Sequence, residues 1–248
     1  MTIDSGVVLH LSKSVPAVGK SLYKDMILTN GTARLIDESN GQVIPLENQR
    51  NGFYRTQQFT PQAGTAYHIE AEAPSLEKAF SDRVIMPDTV IIDSFKFANR
   101  PDLAFQRGLT ALSLELHFSD KKKVTPHFYL LDGAQFKQNI FLKHRLRGIY
   151  AGAAPCESDA VDNVVIFPDK CWNGGHFTLN YFMEHDTAGF VRIDFAQISP
   201  EYFNYLSAQQ QPEGYERGFV EPKPKSSNIQ NGYGIFAAKN STYLIYRY

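Results

Sequence analysis

The sequence predicts an all-β protein of two sandwich domains, the second carrying one short helix. Three observations predict it. Apolar and polar residues alternate with period two in successive runs, which sends one set of side chains to a core and the other to water. Turn-forming Gly, Pro, Asn and Asp punctuate these runs about every eight to twelve residues, the rhythm of a sandwich. The aromatic residues are 18 Phe and 13 Tyr against one Trp. Phe and Tyr suit a pleated, half-buried surface.

The first region reads as strands from the start. VVLHLS (Val7 to Ser12) alternates, and so do TARLIDE (Thr32 to Glu38) and QVIPLE (Gln42 to Glu47). Between the last two lies Ser39-Asn40-Gly41, and Asn-Gly between alternating runs is a strong hairpin signal. GFYRTQQF, AYHIEAEA and AFSDRVIMP follow, with Pro61 and Gly64 marking a turn. Pro87-Asp88 reads as a boundary, so residues 1–88 form the first domain and 89–248 the second.

The second region opens with TVIIDSFKF (Thr89 to Phe97). TALSLELHF (Thr110 to Phe118) places Leu112, Leu114, Leu116 and Phe118 on one face. A charged loop from Asp120 to Lys123 precedes another apolar run at Pro126 to Asp132. Residues 133–163 carry no clear period. NVVIFP, HFTLNYFME and GFVRIDFAQI then read as strands, the last two as a hairpin around His185 to Ala188. Ser199 suits an N-cap, Pro200 the first helical position and Glu201 the positive end of the helix dipole. The helix is expected over Pro200 to Gln210, before the stop signals Pro212 and Gly214. A proline-rich connector, GFVEPKPKSS, leads to the last strands.

The formal net charge is −1, so no basic excess steers the chain to nucleic acid. No stretch approaches the roughly 18 apolar residues of a membrane-spanning helix. The opening MTIDSGVVLHLSKS lacks the pattern of a signal peptide. Two explanations stand: a cytosolic protein, or a mature form whose export signal has been removed. Cys156 and Cys171 match neither a zinc knuckle nor a thioredoxin motif. In an exported protein they could close one disulfide loop, and the alternative is two free buried thiols.

Several landmarks fall in a recognisable order. They are VVLHLSKSVP, TARLIDESNGQVIPL, NGFYR, PQAGTAYHIEAEAP, MPDTVIIDSF, the block Asp169-Lys170-Cys171-Trp172-Asn173-Gly174, SPEYFNYL and the ending NIQNGYGIFAA. This set resembles a Bacteroidota family of outer-membrane lipoproteins catalogued as domain of unknown function 4249, over nearly the whole chain. The resemblance implies an exported, acylated protein encoded beside a TonB-dependent outer-membrane receptor. It implies an immunoglobulin-like first sandwich, here lacking its first strand, and a second β-rich domain. It implies no known reaction. The family pattern has a lipobox cysteine and a tether ahead of VVLHLSKS, and neither stands in this sequence. The chain is therefore expected to be a trimmed or mis-started form, meeting the membrane only through an N-terminal lipid anchor that it lacks.

No catalytic residue, cofactor or metal site is expected. Gly232-x-Gly234 is no dinucleotide fingerprint, since a polar loop precedes it and strands follow. Asn231-Gly232 reads as a turn needing positive φ. His176, His185 and Glu184 have no metal-binding spacing. No G-x-S-x-G elbow exists. Asp159 with Asp162, or Glu184 with Asp186, read as solvated loop acids. The aromatic, basic segment FKQNIFLKHRLRGIY supplies Lys143, Arg145, Arg147 and Tyr150 as candidates for an anionic ligand or partner. Trp172, beside Asn173-Gly174-Gly175, anchors a core or offers a stacking surface. The expected function is a non-enzymatic binding or accessory protein at the outer membrane or cell surface. Its alternatives are an adhesive surface module and a hydrolase.

Overall fold

The computed structural model describes residues 1–13, 26–104, 110–121, 126–137, 140–143, 146–148, 159–161, 164–169, 174–185, 189–209 and 226–247. Along the chain come β1 (Val8–His10), β2 (Thr32–Asp37), β3 (Val43–Arg50), β4 (Phe53–Arg55), β5 (Ala66–Glu72), β6 (Ala79–Ser81), β7 (Val84–Ile85), β8 (Ile91–Asn99) and β9 (Thr110–Asp120). Then follow β10 (Phe128–Lys137), β11 (Ile140–Lys143), β12 (Leu146–Gly148), β13 (Asp159–Val161), β14 (Val164–Pro168), β15 (Gly175–His185), β16 (Phe190–Ile198), the helix α1 (Pro200–Ala208), β17 (Ile229–Gln230) and β18 (Lys239–Arg247). The protein is all-β with one α-helix among the described residues, as the alternation predicts.

The chain divides into two units. Unit 1 comprises Met1–Pro87 and Pro224–Lys239; unit 2 comprises Asp88–Lys223 and Asn240–Tyr248. The first division falls at the Pro87-Asp88 boundary. Residues 224–239, however, belong to the first unit rather than the second. β17 pairs with β6, and Phe236 and Ala238 are buried in the unit 1 core. Pairing and burial across the sequence outweigh chain continuity.

In unit 1, hydrogen bonding orders the sheet β1-β4-β3-β2-β5-β6-β17, with β7 on β5. β2 and β3 form the expected hairpin, with Ile36 opposite Val43. Its turn is built locally: the Ser39 amide donates to Asp37 at 2.8 Å and the Gln42 amide to Asn40 at 2.8 Å. Gly41 takes φ +72°, where a Cβ would be strained. The inward row Leu35, Ile44, Leu46, Tyr67 and Ile69 packs with Tyr54, Val84 and Met86. The late Gly-x-Gly stretch is a closed loop. The Asn228 side chain donates to the Phe236 carbonyl and accepts from its amide, both at 2.8 Å. Asn231 itself, at φ +54°, makes the left-handed turn.

Unit 2 has a six-stranded sheet, β13-β14-β10-β16-β18 with β11 on β10, and a four-stranded sheet, β12-β15-β9-β8. Their inner faces share one core, including Leu114, Phe118, Tyr129, Leu131, Phe167, Tyr181, Ile193 and Phe195. The expected β15–β16 hairpin is not formed. β15 pairs with β9 and β12, whereas β16 pairs with β10. The link between them crosses from one sheet to the other, and so do β9 to β10 and β14 to β15. Turn composition alone does not separate a hairpin from such a crossing; the burial of both long rows does.

The helix starts as expected, with Ser199 in extended backbone (φ −71°, ψ 154°) and Pro200 in the first turn. The Ser199 side chain makes no capping hydrogen bond. Leu206, Tyr202 and Phe203 pack on Leu130, Ile166, Ala196 and Ile198, so α1 covers part of the outer face of the six-stranded sheet.

Candidate functional site

Three inward rows of unit 2 end in ionisable residues. Leu112, Leu114, Leu116 and Phe118 on β9 lead to Asp120. Leu131 and Tyr129 on β10 lead back to His127. Val165 and Phe167 on β14 lead to Asp169. Period-two geometry makes these polar side chains share the core-facing side of their strands. The two crossings from β9 to β10 and from β14 to β15 bring them to one end of the sandwich. They are 8%, 6% and 1% exposed, so each needs a partner in place of water.

Asp120 is well supplied. His127 Nδ1 lies 2.6 Å from its Oδ1, and the Tyr129 hydroxyl donates to the same oxygen at 2.6 Å. The Gly174 amide donates to Oδ2 at 3.2 Å. Asp169 is not. Its backbone amide donates to the His127 carbonyl at 2.9 Å, and its Oδ2 lies 3.8 Å from His127 Nδ1. Yet neither carboxylate oxygen accepts a well-formed hydrogen bond among the described residues. His127 Nε2 also lacks a partner among them. Burial first, and then the Asp120 carboxylate, hold Asp169 above the usual carboxylate range, against the opposing pull of the His127 amide and imidazole. Burial and Asp120 likewise push the Tyr129 phenol up. Phe118, Phe167 and Phe195 surround Tyr129, with ring centroids 5.3, 5.5 and 5.8 Å away. This floor excludes water and strengthens every charge interaction above it.

A second feature faces outward. On the outer face of the six-stranded sheet, Phe136 stacks on Phe190 at 4.7 Å. The Arg192 guanidinium lies 5.5 Å from the Phe136 centroid and 4.9 Å from that of Tyr243. Tyr243 and Ile245 are 42% and 50% exposed. Aromatic and arginine side chains gathered on a rigid sheet are the residue types that dominate protein-binding hot spots.

A third cluster, Asp93, Ser119 and His176, has triad composition without triad geometry. The Ser119 hydroxyl contacts Asp93 Oδ2 at 2.7 Å and His176 Nδ1 at 2.9 Å. The same Nδ1 lies 3.1 Å from Asp93. A hydrolytic triad uses one imidazole nitrogen for serine and the other for the acid. The Ser119 and His176 bonds, in that order, hold Asp93 below the usual carboxylate range.

Of the sequence candidates, Arg145, Tyr150, Cys156, Cys171 and Trp172 lie outside the described residues. Lys143 lies in β11, opposite Ala134, and Arg147 in β12, opposite Phe182. Their side chains are outside what is described. His176 and His185 stand at opposite ends of β15, with Glu184 beside His185. That separation of roughly 30 Å along an extended strand rules out a shared metal.

The buried cluster carries a sequence signal that turn reading overlooks. Asp120, His127 and Asp169 each take the next inward position after an apolar row. A charged residue there is out of place unless it meets a partner. Which partner it meets depends on the sheet crossings.

No curated protein and no solved structure matches the chain. A family model described as Domain of unknown function (DUF4249) matches residues 2–244, and the chain belongs to that family.

Proposed function

We propose that this chain is a non-enzymatic, exported binding protein of the outer membrane that works with a TonB-dependent receptor in nutrient capture or uptake. The observation that carries a binding role is the Phe136, Phe190, Arg192 and Tyr243 surface with exposed Ile245. It sits on a sheet held by a continuous core, so partner contacts would cost little ordering entropy. The choice of partner follows from the family resemblance, which implies a neighbouring TonB-dependent barrel and a lipid anchor.

The test is affinity capture of the natively exported, full-length protein from its own outer membrane, read by mass spectrometry. A TonB-dependent barrel at near-equal stoichiometry is expected. Arg192→Ala and Tyr243→Ala are each expected to reduce barrel recovery at least tenfold, since truncating a hot-spot residue costs about 2 kcal/mol or more. Capture of no barrel would overturn this reading in favour of an adhesive surface module.

A further inference from the structure

We propose that Asp120, His127 and Asp169 form a site for one divalent transition-metal ion of the zinc class, at the end of the unit 2 sandwich. The ligand atoms, one imidazole nitrogen and one oxygen from each carboxylate, lie within 4.8 Å of one another. Imidazole with carboxylate oxygens suits Zn²⁺ and its first-row neighbours rather than Ca²⁺ or Mg²⁺, which favour oxygen alone. The charges balance: two carboxylates and a neutral imidazole match one M²⁺.

Asp169 is the independent observation that points to a cation. It is 1% exposed, and neither of its oxygens accepts a well-formed hydrogen bond among the described residues, although the His127 amide pulls on the carboxylate. A buried carboxylate in that state is costly. His127 Nδ1 lies 3.8 Å from its Oδ2 and is already engaged by Asp120.

Asp120 is prepared for the role. Tyr129 and the Gly174 amide orient it from behind, as outer-sphere groups orient metal ligands. Bonds of about 2.0–2.2 Å place tetrahedral ligand atoms roughly 3.3 Å apart. His127 Nδ1 now lies 2.6 Å from Asp120 and 3.8 Å from Asp169. Metal entry would widen the first distance, narrow the second and require the neutral imidazole to carry its proton on Nε2, leaving Nδ1 free to ligate.

The alternative occupant of this space is a proton held between the two carboxyl groups, and the experiment separates the two. The full chain is stripped with chelator, then titrated with Zn²⁺ and with Co²⁺. The expected result is one equivalent bound, a cobalt d–d absorption band, and a rise in Tm of about 5 °C or more at a hundredfold excess over Kd. Asp169→Asn removes the charge and keeps the shape, so it is expected to fold and to lose all three signals. The cluster would instead be a proton-sharing tie if the parent takes up no metal and Asp169→Asn is as stable as the parent. Binding that survives Asp169→Asn unchanged would place the ion elsewhere and also overturn the assignment.

Discussion

The Tyr129 hydroxyl reaches Asp120 across the interior of unit 2, from one sheet to the other, at 2.6 Å. A hydrogen bond to a charged group is worth about 1.5–3 kcal/mol. Tyr129→Phe is expected to lower stability by that amount, read as a shift of the urea midpoint without a change in slope. Gly52 makes a different demand on its residue type. It has φ +74°, and an added Cβ would lie 2.7 Å from the Leu11 carbonyl oxygen. Gly52→Ala is expected to cost about 1–3 kcal/mol by the same assay, from backbone strain and overlap together. Glu70 shows how a surface charge responds to pH. Burial would raise its pKa, but the bonds from Lys78 and Arg34 outweigh that and lower it. Its contribution is therefore present above the ordinary carboxylate range and is lost as pH falls through the lowered folded value. Glu70→Gln should be less stable than the parent at pH 7, by about 0.2–1 kcal/mol. The gap should narrow as pH falls below the ordinary carboxylate range, and a gap that stays equal down to acid pH would contradict this.

At the scale of elements, the helix and the sheet crossings depend on sequence in different ways. α1 was legible because Pro200, Glu201 and the spacing of Tyr202, Phe203 and Leu206 are local signals. Its stability comes from docking on Leu130, Ile166 and Ile198. Leu206→Ala is expected to cost about 2–4 kcal/mol, seen as a lower Tm and faster amide exchange across Pro200–Ala208. The crossings were not legible. Residues 121–127, 170–174 and 186–189 carry turn-forming residues that would serve a hairpin equally well. The choice was made by which strands found partners: β9 with β15, and β10 with β16. The candidate site inherits that choice. Had β9 and β10 paired as a hairpin, Asp120 and His127 would flank one turn and Asp169 would lie elsewhere.

Across the whole molecule, unit 1 is discontinuous. Phe236 and Ala238 complete its core, and β17 adds to its sheet beside β6. Residues 1–87 expressed alone are expected to lack a cooperative unfolding transition. A version that joins them to 224–239 by a flexible linker should regain one, and cooperative folding of 1–87 alone would refute this dependence. Sequence by itself determined the all-β class, the β2–β3 hairpin, the Pro87-Asp88 division, the helix start and the family. Each rests on period, turn chemistry or an ordered set of short motifs, all of which are local. Tertiary structure decided the sheet partners, the return of 224–239 to unit 1, and the meeting of Asp120, His127 and Asp169. Those depend on contacts between residues far apart in the chain. A single strand's alternation shows which side faces inward but not what it will meet there.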